Sequence, residues 1–234
     1  MGFLAWCCPF IIPIGVCWLS VSPDSGKLNR KWPCHSTSGY QEATDGLFSK
    51  TMRQMSFHYF AYGSNMLPQR LLDRCSSAKL IGIGFAANFD LEFSKPSTDG
   101  SGKATLVPAI GSNVPGALFE IDVSERDALD RHEGLGLGYR RNDRFVVNAP
   151  TLGSDVETST YLATARDARL APFDWYLAIV IAGALHHEVR EGHIVALRST
   201  RFVRDTKADR KTRIAAIQAM RDHGVDDFRE LLGA

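Results

Sequence analysis

The stretch FHYFAYGSNML, residues 57–67, holds a strand that stops abruptly. Tyr59, Phe60 and Ala61 form a short apolar, aromatic run with strand character, which ends in Tyr62-Gly63-Ser64-Asn65. A helical segment begins near Leu67. Gly63 permits backbone angles that other residues resist, and Ser64 and Asn65 favour turns and helix caps. A strand breaking into such a turn presents several N–H groups at one point, a cradle for an anion or a carbonyl oxygen. An ordinary tight turn can carry the same residues, so the functional reading needs support from elsewhere in the chain.

The chain around this stretch has 234 residues, enough for one large domain or two small ones. Its 44% hydrophobic and 23% charged content is ordinary for a globular protein. A net charge of +1 gives no whole-molecule field toward nucleic acid or membrane. Cys7, Cys8, Cys17 and Cys34 precede residue 35 and Cys75 stands alone after it, a spacing that fits neither a zinc site nor a disulfide framework. A reduced, cytoplasmic setting is therefore expected for the folded part.

Upstream, residues 1–54 differ in kind. Gly2 to Val21 is almost uncharged and rich in Trp, Cys, Phe, Ile and Pro. Its length suits a signal peptide or anchor, but there is no basic n-region and Pro9 and Pro13 interrupt it. The Met-Gly start suggests myristoylation, yet Trp6 stands where Ser or Thr is required. Ser22 to Lys50 is polar and without period, the composition of a disordered segment. The preferred expectation is a poorly structured or mis-assigned extension over 1–54, with translation starting at Met52 or Met55.

Downstream, Pro68 to Cys75 reads as a short helix with Pro68 in its first turn and Leu67, Leu71 and Leu72 on its apolar side. Ala78 to Phe93 alternates like one long bent strand or two joined strands. It contains Gly82-Ile83-Gly84-Phe85-Ala86-Ala87, a loose match to a dinucleotide motif. That motif needs a helix at its second glycine, whereas Phe85, Ala87, Phe89, Leu91 and Phe93 recur at period two, so the glycines are read as a bend or bulge. A hairpin loop over Lys95 to Lys103 leads to two strands, Ala104 to Ile110 and Gly116 to Ile121. Ser124 is read as opening a helix, with Asp127 completing a capping-box variant. This helix ends at Glu133-Gly134, before a glycine-rich loop from Leu135 to Arg141. Further strands are expected at Asp143 to Asn148 and Glu157 to Ala165. Pro172 starts a buried helix over Phe173 to Leu185, followed by a shorter one over Arg190 to Leu197 and amphipathic tail helices in Ala208 to Leu232. Strands followed by helices define an α+β fold, with a small mixed β-barrel or strongly curved sheet flanked by helices.

Several residues invite chemical readings that their context weakens. His186 and His187 are adjacent on a helix and point about 100° apart, which leaves them and His193 as histidines of a helix end, beside Glu188, rather than metal ligands. The basic stretch near Lys211 lacks interleaved aromatics and reads as a solvated helix face. Ser64 lies in G-S-N, not in a nucleophile elbow, and has no evident base. Glu133 is different. It sits at a helix C-terminus, where the macrodipole disfavours the ionised carboxylate, and partial burial under the glycine-rich loop pushes the same way. Such a group can take up and return a proton, the requirement for a general acid/base.

A family pattern joins the turn to the glutamate. Tyr59-Phe60-Ala61-Tyr62-Gly63-Ser64-Asn65-Met66 resembles the opening signature of the γ-glutamylcyclotransferase-like family. Leu129-Asp130-Arg131-His132-Glu133-Gly134-Leu135 with Tyr139-Arg140-Arg141 resembles its acid/base motif. Thr160-Tyr161-Leu162 and the apolar helix opened by Tyr176 resemble a third stretch. The similarity spans about Phe57 to Thr200. It implies a catalytic domain over 55–200 with a helical tail, 201–234, packed on or beside it. It also implies cyclisation of a γ-glutamyl amide to 5-oxoproline without a cofactor, Glu133 being the proton carrier. Substrate-binding residues implied are Tyr59, Phe60, Ala61, Tyr62, Gly63, Ser64 and Asn65, with Tyr176 lining the cavity and no metal. The N–H groups of Gly63 to Asn65 serve either the developing oxyanion or the α-carboxylate. The sequence departs from the family before Tyr176, where Pro172-Phe173-Asp174-Trp175 replaces a Pro-Ser. The expected partner is a small-molecule γ-glutamyl substrate, with no nucleic acid and no membrane, and a homodimer stays open. The alternative is a non-catalytic module binding a carboxylate or γ-glutamyl ligand on the same fold.

Overall fold

The computed structural model describes residues 55–233, so the expectations for 1–54 lie outside the described residues. Aromatic and β-branched runs form five strands: β1 Ser56–Ala61, β2 Lys79–Pro96, β3 Gly102–Asp122, β4 Tyr139–Ala149 and β5 Ser154–Ala163. Their order, β1-β3-β2-β4-β5, closes into a barrel. β1 lies antiparallel to β3 from Ser56↔Asp122 to Ala61↔Ala117, and a parallel bridge between Tyr59 and Ser159 completes the ring. The expected small mixed barrel flanked by helices is the observed architecture.

β2 is one long strand, the first of the two alternatives that the period-two pattern allowed. Its pairing with β3 slips between Leu80 and Gly82, the bulge expected of the glycines. A Cβ on Gly84 would come within 3.0 Å of Val147 Cγ2 and 3.2 Å of Leu118, so this glycine admits a close approach rather than a cofactor.

β3 departs from expectation, because the two strands anticipated there are one strand of 21 residues. Pairing runs through Ala87↔Asn113 and resumes at Phe89↔Pro108, so residues 109–112 bulge without ending the ladder. Asn88, at φ 62°, supports the bulge by accepting a hydrogen bond from Gly111 N at 3.0 Å. β4 also starts earlier than expected. Tyr139, read as part of the glycine-rich loop, pairs with Ala163, and its hydroxyl donates to Ala104 O at 2.6 Å.

The short helices are α1 Pro68–Leu72 and α2 Arg126–Glu133. Ser124 does not open α2: it lies in a 3-10 turn, Val123–Glu125, capped by Asp122, whose carboxylate accepts from Ser124 N at 2.8 Å. Asp122 ends β3, so the cap fixes the exit angle from the barrel.

The helix α3, Asp174–His186, is buried on almost every face from Asp174 to Ala184. A helix apolar all round must be enclosed rather than laid on a surface. Pro172 does not start it: Phe173 is the N-cap residue, and Pro172 lies outside with its carbonyl accepting from Val203 N at 2.9 Å. Two further helices follow, α4 Glu191–Arg198 and α5 Lys211–Asp222. Ala216, Ala219 and Met220 of α5, with Phe228 and Leu232 of a closing 3-10 turn, join the same core as the barrel. Among the described residues, no helix is long and apolar enough to cross a membrane.

α3 presses directly on the turn after β1. A Cβ at Gly183 would lie 2.7 Å from both Leu67 N and Met66 Cβ. Gly183→Ala must therefore push the turn outward or strain the helix, and should cost about 1–3 kcal/mol of stability. A urea-denaturation midpoint matching that of the wild type would show that the contact relaxes freely.

Candidate active site

The turn after β1 owes its glycine to crowding. Gly63 has φ −119°, outside the left-handed region, contrary to the conformational role expected for it. A Cβ there would come 3.2 Å from Ala104 Cβ and 3.7 Å from Tyr176 Oη. The chain then makes a 3-10 turn, Ser64–Met66, which buries Asn65 to 3% exposure.

A buried amide must satisfy its donors and acceptor, and Asn65 does so by gathering three side chains. Its Nδ2 donates to Tyr59 Oη at 3.0 Å and to Glu133 Oε1 at 2.7 Å. Its Oδ1 accepts from Arg74 at 2.7 Å, and the same Arg74 nitrogen reaches Glu133 Oε1 at 2.6 Å. Residues 68 apart in sequence are thereby joined by direct bonds. Glu133 arrives from the last turn of α2, which Gly134 ends in the left-handed conformation at φ 70°. At the end of α2, Glu133 therefore meets a guanidinium and an amide. Only Oε1 is engaged by described residues, which leaves Oε2 available to a ligand.

Arg70 stands one helical turn before Arg74 and donates to Ser64 Oγ at 3.2 Å. Ser64 is thus an acceptor, with no base beside it. Tyrosines complete the walls. Tyr176 Oη accepts from Ala104 N at 3.2 Å, and Tyr62 donates to the carbonyl of Tyr161. Burial, and then the charge of Glu133, raises Tyr59 well above its ordinary pKa. Burial raises Tyr139 in the same way and pushes Tyr176 up to about 12, so these phenols stay protonated. Burial also lowers Arg70 to about 10, with Arg74 pushing in the same direction.

These groups enclose a recess of about 30 Å³ lined by Tyr59, Tyr62, Gly63, Ser64, Asn65, Glu133 and Tyr176, together with Tyr139, Tyr161 and Ala104. The recess shares Ser64, Glu133, Tyr139 and Tyr176 with a wider cleft of about 430 Å³. Of the residues expected to bind substrate, Phe60 and Ala61 do not reach either space. Phe60 follows Tyr59 on a strand, so its side chain leaves from the opposite face, where it stacks on Phe145 with ring centroids 6.0 Å apart. Ala61 is buried in the core at 1% exposure.

Sequence reasoning missed Arg74, Arg70 and Tyr139. The i, i+4 spacing of the two arginines was a usable signal, since it puts both on one face of a helix next to the cradle. Tyr139 was hidden by the glycines around it. The departure before Tyr176 serves packing and also puts Trp175 in the wall of the wider cleft. Trp175 stands edge-on to Tyr176, centroids 5.9 Å apart, and its Nε1 donates to the buried Asp205 at 2.9 Å. His187 does not lie free on a helix surface either: its Nε2 bonds the Met66 carbonyl at 2.7 Å, tying the end of α3 to the cradle turn.

A barrel carrying a glutamate over a strand-end cradle defines a class, and comparison with known proteins agrees with it. Residues 113–197 match the model of the AIG2-like family. A human protein named gamma-glutamylcyclotransferase is 31% identical over 134 residues, 55% of this chain and 70% of that protein. The bovine protein of the same name is 29% identical over the same shares. A solved structure named gamma-glutamyl cyclotransferase superposes with a TM-score of 0.64 at 25% identity, covering 70% of this chain and 99% of that one. This chain belongs to the γ-glutamylcyclotransferase-like family.

The cleft wall depends on a charged hairpin tip. Burial acts to raise the Asp99 carboxyl, but the Ser101 hydroxyl at 2.6 Å and the Lys103 ammonium at 2.9 Å outweigh it and hold the group well below the usual range. With the folded value below the unfolded one of about 4, ionised Asp99 stabilises the fold fully above roughly pH 4 and loses that contribution as pH falls further. The urea midpoint of the wild type should accordingly drop more steeply below about pH 4 than that of Asp99→Asn. Parallel profiles for the two proteins would remove Asp99 from the balance.

Proposed function

We propose that this protein is a γ-glutamyl cyclotransferase, with Glu133 as the general acid/base and the Tyr62–Asn65 turn as the cradle of the γ-glutamyl group. The observation that carries the reading is the bonding of Glu133 to Asn65 at 2.7 Å, which fixes a proton carrier against the cradle. Family membership supports it.

The substrate brings its own nucleophile, the α-amino group, so no serine or cysteine needs activating. Cys75 fits this: it is buried, and burial, with Glu125 acting in the same direction, pushes its thiol up to about 11. The enzyme must fold the γ-glutamyl chain so that its amine faces the γ-carbonyl, a proximity effect worth several kcal/mol. Glu133 Oε2 takes a proton from the α-ammonium. The freed amine attacks the γ-carbonyl carbon, a C–N bond forms and the carbonyl electrons move to oxygen. The N–H groups of Gly63, Ser64 and Asn65 make no backbone hydrogen bond within the described residues, and they serve that oxyanion or the α-carboxylate. As the oxyanion collapses, the original amide C–N bond breaks and Glu133 passes its proton to the departing nitrogen. It then takes the second proton from the ring nitrogen and gives it to the released amine, which departs as its ammonium. The products are 5-oxoproline and the free amine. Charge and protons balance without a cofactor.

The test is release of 5-oxoproline from γ-glutamyl-alanine, followed by HPLC. Glu133→Gln should keep its fold and bind substrate but turn over ~10²-fold or more slowly. Near-wild-type release from Glu133→Gln would remove the glutamate from the mechanism.

A further inference from the structure

The wider cleft carries more positive charge than a γ-glutamyl group can use. Six cations line it: Arg70, Arg74, Lys95, Lys103, Arg210 and Lys211. Three of them are paired with carboxylates, Arg74 with Glu133, Lys103 with Asp99 and Arg210 with Asp205. Arg70, Lys95 and Lys211 have no carboxylate partner among the described residues.

Lys95 is the most telling of these. Its side chain is buried to 8% exposure in the β2 end of the hairpin, and burial lowers its pKa. Its ammonium lies 4.6 Å from the Tyr139 ring centroid. A Cβ at Gly138 would stand 3.0 Å from the ammonium, so the glycine-rich loop leaves room for this cation. A partly desolvated ammonium held over an aromatic face, with Glu133 and Asp99 acting on it but neither at ion-pair distance, gains when a further anionic group arrives. Lys211 faces the same cleft from the first turn of α5, a position where its charge gains nothing from the helix dipole.

The positions divide the work. Arg70 touches Ser64 and so stands beside the cradle, where the γ-glutamyl end belongs. Lys95 and Lys211 line the wider cleft but not the recess formed by the cradle. A leaving amino acid has one α-carboxylate. Lys95, buried, and Lys211, exposed at the cleft, offer two positions for anionic groups.

We propose, building on the cyclotransferase reading, that the cleft selects γ-glutamyl amides whose leaving group is an acidic amino acid, with Lys95 and Lys211 receiving its two carboxylates. γ-Glutamyl-glutamate and γ-glutamyl-aspartate represent this class. γ-Glutamyl-glutamine is the control, since it matches the first in shape and differs by one charge.

The experiment measures kcat/KM of the full chain on these substrates and on γ-glutamyl-ethylamine. Titration calorimetry with Glu133→Gln gives affinities free of turnover. γ-Glutamyl-glutamate should exceed γ-glutamyl-glutamine about 5- to 10-fold in both measures, and the preference should shrink with added salt. Lys95→Gln and Lys211→Gln should each move the ratio toward one. Equal kcat/KM and equal affinity for the glutamate and glutamine dipeptides would overturn the proposal while leaving the cyclotransferase intact. If no substrate yields 5-oxoproline, the catalytic reading falls, and the calorimetric ratio alone decides whether the cleft selects the second carboxylate.

Discussion

The carboxamide of Asn65 is the interaction on which the rest of the site depends. One nitrogen and one oxygen bring together a strand residue, Tyr59, a residue just past α1, Arg74, and the last residue of α2, Glu133. At 3% exposure the amide has no water to fall back on, so losing any of these bonds leaves a buried polar atom unmatched. The glutamate itself lies on a helix with a single buried residue, Leu129, which alone would locate its end poorly. Asn65 and the left-handed Gly134 that ends α2 supply what that packing lacks.

Behind the amide stands the one element buried nearly all round. α3 presses on the cradle turn at Gly183, bonds it again through His187 and sends Tyr176 to the backbone of Ala104. Tyr139 grips the carbonyl of the same residue from β4. Ala104, an unremarked position near the start of β3, is thus where barrel and helix meet. Rigid backing of this kind suits the proposed reaction, whose main demand is to keep a flexible chain folded.

Much of this was legible in the chain itself. The break after Ala61, the bend at Gly82 and the burial of α3 follow from local pattern, and so does the position of Glu133 before a left-handed glycine. What stayed hidden depended on partners distant in sequence. Nothing local says that Phe60 faces away from the recess while Tyr59 enters it, because the whole run is aromatic and strand phase is set by pairing. Residues 109–112 read as a gap between strands, since a bulge and a turn share the same glycine and asparagine chemistry. Arg74 lacked any local mark beyond its spacing from Arg70. Its role appears only once α2 is laid across the turn.

The one-sided binding of the glutamate carries a stereochemical consequence. Arg74 and Asn65 both grip Oε1, so the carboxylate cannot rotate to exchange its two oxygens without breaking both bonds. In the cyclisation proposed above, the attacking nitrogen and the departing nitrogen are attached to the same tetrahedral carbon at the same moment. A single unrotating oxygen can therefore serve both, taking the proton from one and passing it to the other across one carbon centre. In that proposed reaction the anchor makes the carboxylate a fixed pivot, and the substrate's own collapse supplies the movement.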